Sequence, residues 1–473
     1  MIAQSELTKY LGLPIDSIGD SLTFPKLVED IALNTRNKLR EDFKSYLEEI
    51  DFKFRNSKDR TSKYYVANTS ERTIITMLGE ITYKRTLYRD KYDKSSYYCY
   101  VDEKLGIGKY YRYTNDVAAL VCECYSNENS MIKVGEELGD RIYSSFTLED
   151  TRDHALPRQT IYNLLKRSKE VRINPQEEKK KVSDLYVLMD EKYIGNDLML
   201  KSSLIVEGLD TSNKKRHSYI NKSYYSSYNS NFSSNLIDHI NNRYDLDSIK
   251  AIHVLADGGT WIKNVSAELK FPNITNTRYL CRFHFHQALW RICKDKEIYN
   301  KLVNYLYKDD KDSLYKLLNS IEDDKNINDI KYIKNNYKEI QNTIHLKGMN
   351  CAMEQAISHH IASQFSNVPK AYSPSNINRY LSYRDNYRNG ENMKLLFLKA
   401  LDDKSDDDVA IVNKETLDFS MFDYSPDEHL YTTMLGTGKN IAKFNKHWYI
   451  SHDGISSSHH HINKSRLYKQ LFR

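Results

Sequence analysis

Apolar positions within the first 65 residues recur three and four apart. Val28 and Ile31, then Leu39, Phe43, Leu47 and Ile50, fall on one side of a helix, because 3.6 residues make a turn. The spacing changes in TIITMLGEITYKRTLYRD, residues 73–90, where Ile75 and Met77, then Ile81 and Tyr83, alternate about Gly79. That alternation predicts a β-hairpin. Its outgoing arm carries Lys84, Arg85 and Arg89, which read either as a phosphate-contacting ribbon or as a solvated strand face. Residues 115–139 return to a helical pattern. In LPRQTIYNLLKRSKE (156–170), Pro157 suits a helix start and Ile161, Leu164 and Leu165 form an apolar stripe. The other side offers Arg158, Gln159, Tyr162, Asn163 and Lys166. The recognition helix of a helix-turn-helix shows such a face to a major groove, and so does an ordinary amphipathic surface helix.

RINPQEEKKKVSD (172–184) is a charged linker that marks a domain boundary. Beyond it an apolar run, Leu185 to Met189, ends in Asp190 and Glu191. Residues 198–210 and 216–227 read as second and third strands, SNLIDHINNRY as a helix, AIHVLADGG as a fourth strand and TRYLCRFH as a fifth. This is the element order of an RNase-H-like fold, in which the first and fourth strands are neighbours. Residues 291–345 are helical, Lys-rich and short of Gly and Pro, as an insertion would be. GMNCAMEQAISHHIASQF (348–365) starts a further helix with Asn350 as N-cap and Glu354 near the end of its first turn. The expected class is α/β: an RNase-H-like mixed-sheet core over 183–390, preceded by a mainly helical region with a β-hairpin (1–110) and a helix-turn-helix-like segment (111–175), and followed by a tail (391–473).

The chain of 473 residues holds 70 Lys and Arg against 64 Asp and Glu, a net charge of +6. This permits nucleic-acid binding without demanding it. The 38 tyrosines could stack on bases, or follow from an A/T-rich genome. Six scattered cysteines point to a reducing cytoplasm rather than secretion. No signal-peptide pattern and no apolar run near 18 residues predicts a membrane span.

Three acids stand out: Asp190 after the first strand, Asp257 after the fourth in VLADGGTWIK, and Glu354 on a late helix. Three carboxylates in one cleft repel unless a cation holds them. Mg²⁺ (or Mn²⁺) suits oxygen ligands and supports phosphodiester hydrolysis and strand transfer. Taken singly, each acid has a plain structural reading: Asp190 ends a strand or pairs with Lys192, Asp257 caps a helix, and Glu354 favours a helix N-terminus.

TMLGEITYKRTLYRD, YVDEKLGI, RQTIYNLLKR, LYVLMDEKY, LADGGTWIK, LCRFHFHQAL and CAMEQAISHHIASQFSNVPKAYS follow one another in this order. On these segments, over roughly 70–390, the chain resembles the ISLre-type insertion-sequence transposases, a bacterial family with a DDE active site and a Mutator-like, RNase-H-like core. The resemblance implies that Asp190, Asp257 and Glu354, spaced 67 and 97 residues apart, are the catalytic and metal-binding set. It implies that Cys281 stands where the family has Asp, a position at which the wider Mutator-like group accepts Cys followed by His. His284 then packs beside the carboxylates or contacts DNA, and Trp261 forms core or active-site wall. Zinc would need four ligands, and Cys281 and His284 give two. The implied activity is cleavage of element ends and joining of their 3′ ends to target DNA. Terminal inverted repeats are read by the N-terminal region and the 156–170 helix, in a homo-oligomer with no membrane partner. A nuclease of the same fold without strand transfer, and a DNA-binding relative that no longer cuts, are the other readings.

Overall fold

The computed structural model describes residues 23–93, 97–128, 130–144, 154–173, 178–194, 198–213, 218–228, 230–346, 349, 351, 360–361, 365, 373–402 and 409–412. The chain divides into Met1–Leu417 and Asp418–Arg473, and the described residues all belong to the first unit. The class is mixed α/β, with a five-stranded mixed sheet and many helices.

The amphipathic N-terminal pattern folds as α1 (Thr23–Arg55), followed by the short α2 (Lys58–Lys63). The hairpin is long: β1 (Tyr64–Thr76) pairs antiparallel with β2 (Gly79–Asp90), and β3 (Tyr97–Tyr98) extends the ribbon. Gly79 sits at φ +105, a conformation glycine adopts without steric cost. Leu47 of α1 packs with Ile74, Ile81 and Tyr83 on the inner face, whereas Val28 stays exposed. The basic ribbon is only partly free. Arg85 turns inward and, with Arg72, pairs with the buried Asp102, while Lys84 and Arg89 remain in solvent. Asp102 lies on α3 (Tyr100–Lys104).

A helical layer follows: α4 (Asn115–Asn127), α5 (Met131–Gly139) and α6 (Arg158–Leu165), then the short β4 (Glu170–Ile173). α4 buries nearly its whole circumference. Gly135 and Gly139 of α5 lie so close to the chain entering α6 that an added Cβ would stand 2.2 Å from the Leu156 oxygen and 2.4 Å from that of His154.

The central sheet comprises β5 (Asp184–Ile194), β6 (Leu198–Val206), β9 (Ser223–Ser227), β10 (Ala251–Ala256) and β11 (Thr275–Leu280). Its order is β11-β10-β5-β6-β9; β6 runs antiparallel to both of its neighbours, β5 and β9, while β10 and β11 run parallel to β5. Two expected strands are interrupted. The second breaks at Glu207, whose carboxylate accepts from Lys180, Asn221 and Tyr244. Beyond it β7 (Gly208–Asp210) pairs with β8 (Ser218–Ile220) in a separate ribbon, and only β9 of the third segment joins the sheet.

α7 (Phe232–Arg243) and α8 (Thr260–Glu268) cover one face, burying Phe232, Leu236, Ile240, Ile262 and Val265 against Leu185, Val187, Met189 and Val254. α9 (Arg282–Ile292) leaves the end of β11 and packs with α10 (Lys296–Tyr307), α11 (Lys311–Ser320), α12 (Ile327–Asn335) and α13 (Tyr337–His345) around Phe285, Leu306, Leu318, Ile333 and Ile340. α14 (Pro374–Arg388), α15 (Met393–Asp402) and β12 (Val409–Val412) complete the described chain, β12 pairing with β4.

Side chains occupy the outer edges of the sheet where further strands would pair. Along β9, Asn389 both donates to the Tyr224 oxygen (3.0 Å) and accepts from its N–H (2.7 Å). The Ser226 and Tyr228 N–H groups donate to Asp385 and Asn378. Along β11, Asn342 and Thr343 of α13 donate to the oxygens of Arg278 and Leu280. Among the described residues no helix is long and apolar enough to cross a membrane.

Candidate metal centre

The two parallel strands β5 and β10 pair as far as Leu188 and Leu255. β10 stops at Ala256, whose oxygen accepts from the Cys281 N–H at 2.7 Å, and Asp257 emerges at the strand's carboxyl end. Gly258 makes the turn at φ +92, and an added Cβ there would lie 2.8 Å from Leu280 and 3.1 Å from Asn336. Asp257 accepts from the Gly259 N–H at 2.9 Å, just ahead of α8. Asp257 is therefore not the helix cap, since Gly259 takes the N-cap position without a side-chain cap hydrogen bond, and this turn occupies only one oxygen of the carboxylate. The main-chain oxygen of Asp257 accepts a short hydrogen bond from Tyr332 of α12, so a helix far along the sequence braces this strand end.

Asp190 lies inside β5 rather than after it, opposite Ser202. The strand runs on because β6 keeps pairing after β10 has ended. Asp190 and Glu191 alternate across the strand. Both still reach Asp257, because the parallel register that pairs Leu255 with Leu188 carries Asp257, just past the end of β10, alongside Asp190. One oxygen from each of Asp190, Glu191 and Asp257 lies within 4.8 Å of the others. Glu191 is the site residue that sequence reasoning missed. It stands next to Asp190, but a regular alternation sends neighbours to opposite faces, so the pattern argues against it. Its carboxylate accepts from Trp261 Nε1 at 2.7 Å.

Burial, and then the nearby charges of Asp257 and Glu191, push the Asp190 carboxyl up to about 7, against the Glu191 N–H bond and His284. Burial and Asp257 likewise raise Glu191, opposed by the Trp261 bond. Such a crowd of acids either keeps protons or takes a cation. An all-oxygen donor set suits a hard divalent ion, Mg²⁺ or Mn²⁺.

The neighbours expected from the sequence gather here. Trp261 forms a wall: Phe232 meets its ring edge-on and the Lys201 ammonium lies 5.6 Å from it. Cys281 is buried at the end of β11, its thiol made more acidic by Cys351 and by His284. His284, in the first turn of α9, is drawn toward the charged form by Cys281 and then by Asp257 and Asp190. Its Nδ1 is buried without a hydrogen-bond partner. Glu354 lies outside the described residues. Cys351, three residues before it, packs on the cluster of Leu188 and Leu255 that backs the acids.

On α6, Arg158, Gln159, Asn163 and Lys166 are exposed, with Gln159 donating to Asn163 at 3.0 Å. Tyr162 is half-buried and accepts from Asn376 at 3.3 Å, which ties it to α14 and leaves a narrower polar face than the pattern suggests.

A family model described as uncharacterised protein family UPF0236 matches residues 18–394. Curated relatives come from Caldanaerobacter subterraneus subsp. tengcongensis. One UPF0236 protein is 25% identical over 401 residues, covering 80% of this chain and 82% of its own. Another is 25% identical over 401 residues, covering 80% and 77%. A third, 24% identical over 401 residues and covering 80% and 81%, carries a name that joins eleven designations in that organism.

Proposed function

The chain belongs to the UPF0236 family, and we propose that it is a DNA transposase, cutting the ends of an insertion sequence and joining their 3′ ends to target DNA. The observation that carries the proposal is the convergence of Asp190 and Asp257 from neighbouring parallel strands, with Glu191 beside them. The strand order, with the first and fourth strands adjacent and the second strand antiparallel to both the first and the third, supports reading the core as RNase-H-like. A name joining eleven designations in one organism is what the multiplication of a mobile gene would leave.

Asp190, Asp257 and, by the resemblance, Glu354 would hold Mg²⁺ or Mn²⁺, with Glu191 a further oxygen donor. When bound, the ion would supply a Lewis acid that activates water or a 3′-hydroxyl and stabilises the leaving oxygen. The protein's own part is orientation. The Gly259 N–H fixes the Asp257 carboxylate, Trp261 fixes Glu191, and Tyr332 fixes the backbone between them. His284, drawn toward its charged form, would bring a cationic ring to the edge of the acids, where a scissile phosphate would lie. The exposed side chains of α6 would contact the terminal inverted repeats, and a homo-oligomer would hold two ends together, in the cytoplasm.

The test is incubation of the protein and Mg²⁺ with DNA carrying the element's ends. Joined product supports the transposase, and Asp257→Asn should abolish chemistry while binding persists. Cleavage without joining would favour a nuclease of the same core, and binding without cleavage a relative that no longer cuts. Normal cleavage by Asp257→Asn would remove this site from the mechanism.

A further inference from the structure

The N-terminal ribbon carries a second feature, on the face turned away from its core. Tyr65 of β1 is directly opposite Arg89 of β2, and Arg89 is directly opposite Tyr97 of β3. Directly paired residues of antiparallel strands share a face, so aromatic, cation and aromatic form one rung across three strands. Tyr65 is 53% and Tyr97 52% exposed, and Arg89 is exposed between them. The Arg89 guanidinium lies 4.7 Å from the Tyr97 ring centre and donates to its hydroxyl at 2.7 Å. The Lys91 ammonium lies 5.4 Å from the Tyr65 ring.

Packing does not require these rings. The opposite face already has its own aromatic cluster, in which Phe54 stacks on Tyr100 at 3.8 Å and Tyr64 on Tyr98 at 4.8 Å. Tyr65 and Tyr97 therefore stand outside a core that is complete without them. Their cations leave open ring surface and keep the rung positively charged.

We propose that the Tyr65–Arg89–Tyr97 rung is a stacking platform for unpaired DNA. Exposed rings take the faces of bases from a single strand, and the adjoining cations take its phosphates. A duplex offers phosphates and groove edges but no free base faces. An acidic peptide would pair with Arg89 and Lys91 and leave the rings uncovered. The inference rests on the reading that this protein works on DNA. It adds that an unpaired strand is held at the ribbon, apart from the carboxylates.

The test uses the full chain and fluorescence anisotropy with a labelled oligo-dT of about 20 nucleotides and a hairpin duplex. Tyr65→Ala with Tyr97→Ala should weaken oligo-dT binding about tenfold or more, and Tyr65→Phe with Tyr97→Phe should bind like the wild type. Duplex binding and the thermal unfolding midpoint should stay unchanged in both. The proposal is overturned if the wild type does not bind oligo-dT, if the alanine pair binds it normally, or if single-strand and duplex binding fall together. Mg²⁺-dependent cleavage is read separately. If it is absent while the alanine pair still loses only oligo-dT binding, the platform stands and the transposase reading falls.

Discussion

Trp261 and Glu191 are joined by an indole N–H donated to a carboxylate at 2.7 Å. The bond links the first turn of α8, just after Asp257, to the strand that carries Asp190. It also accounts for a carboxylate that faces other acids without turning away. Trp261→Phe keeps the ring and removes the donor. Mn²⁺ affinity, measured by calorimetry, should fall about tenfold, the lower end of what losing an outer hydrogen bond costs a metal ligand. Unchanged affinity would mean that Glu191 is no ligand.

Asp190 gives a pH dependence of defined sign. Its carboxyl is raised from an ordinary 3.8 to about 7 in the metal-free fold. Between those values the folded chain holds a proton that the unfolded chain has released. Its contribution to stability is therefore full below pH 4 and is lost as pH rises through about 7. The loss is at most about 4 kcal/mol, less what residual solvation returns. In chelator, denaturant unfolding should show this decline, and Asp190→Asn should flatten it. Mn²⁺ should restore stability most at high pH, where the acids are charged.

Gly258 combines φ +92 with neighbours that would lie 2.8 and 3.1 Å from an added Cβ. Gly258→Ala should cost about 1–3 kcal/mol and move the Asp257 carboxylate. Metal affinity should then drop along with the unfolding midpoint. A stable variant with normal affinity would show that the turn tolerates a side chain.

Asp102 holds Arg72 and Arg85 against the inner face of the N-terminal ribbon and also accepts from Tyr83. Asp102→Ala leaves two guanidiniums without their anion, which should cost about 3–5 kcal/mol. The measurement is chemical denaturation. Asp102→Asn, which keeps the acceptor, should lose less.

Much of this architecture is legible in residue spacing. The amphipathic α1, the hairpin about Gly79 and the apolar runs of β5 and β10 follow from local periodicity. Asp257 after β10 follows from the strand ending in Ala256 and the two glycines. What periodicity cannot convey is what ends where in space. Asp190 looks terminal because the apolar run stops at Met189, yet β6 carries the strand five residues further to Ile194. Glu191 joins the site beside Asp257 and under Trp261, both on the far side of β10 in sequence, and Arg85 looks exposed until Asp102 is brought beneath it. The first miss comes from the next strand of the same hairpin, where Ile194 pairs with Leu198, and the other two from partners further along the chain.

The helices flanking β9 and β11 have a consequence for assembly. Their amide, hydroxyl and carboxylate groups satisfy backbone positions on both outermost strands, so the width of this sheet is fixed at five. A neighbouring molecule that tried to add its own strand would first have to strip away these hydrogen bonds. Any contact between copies would therefore use surfaces other than the two edges of this sheet.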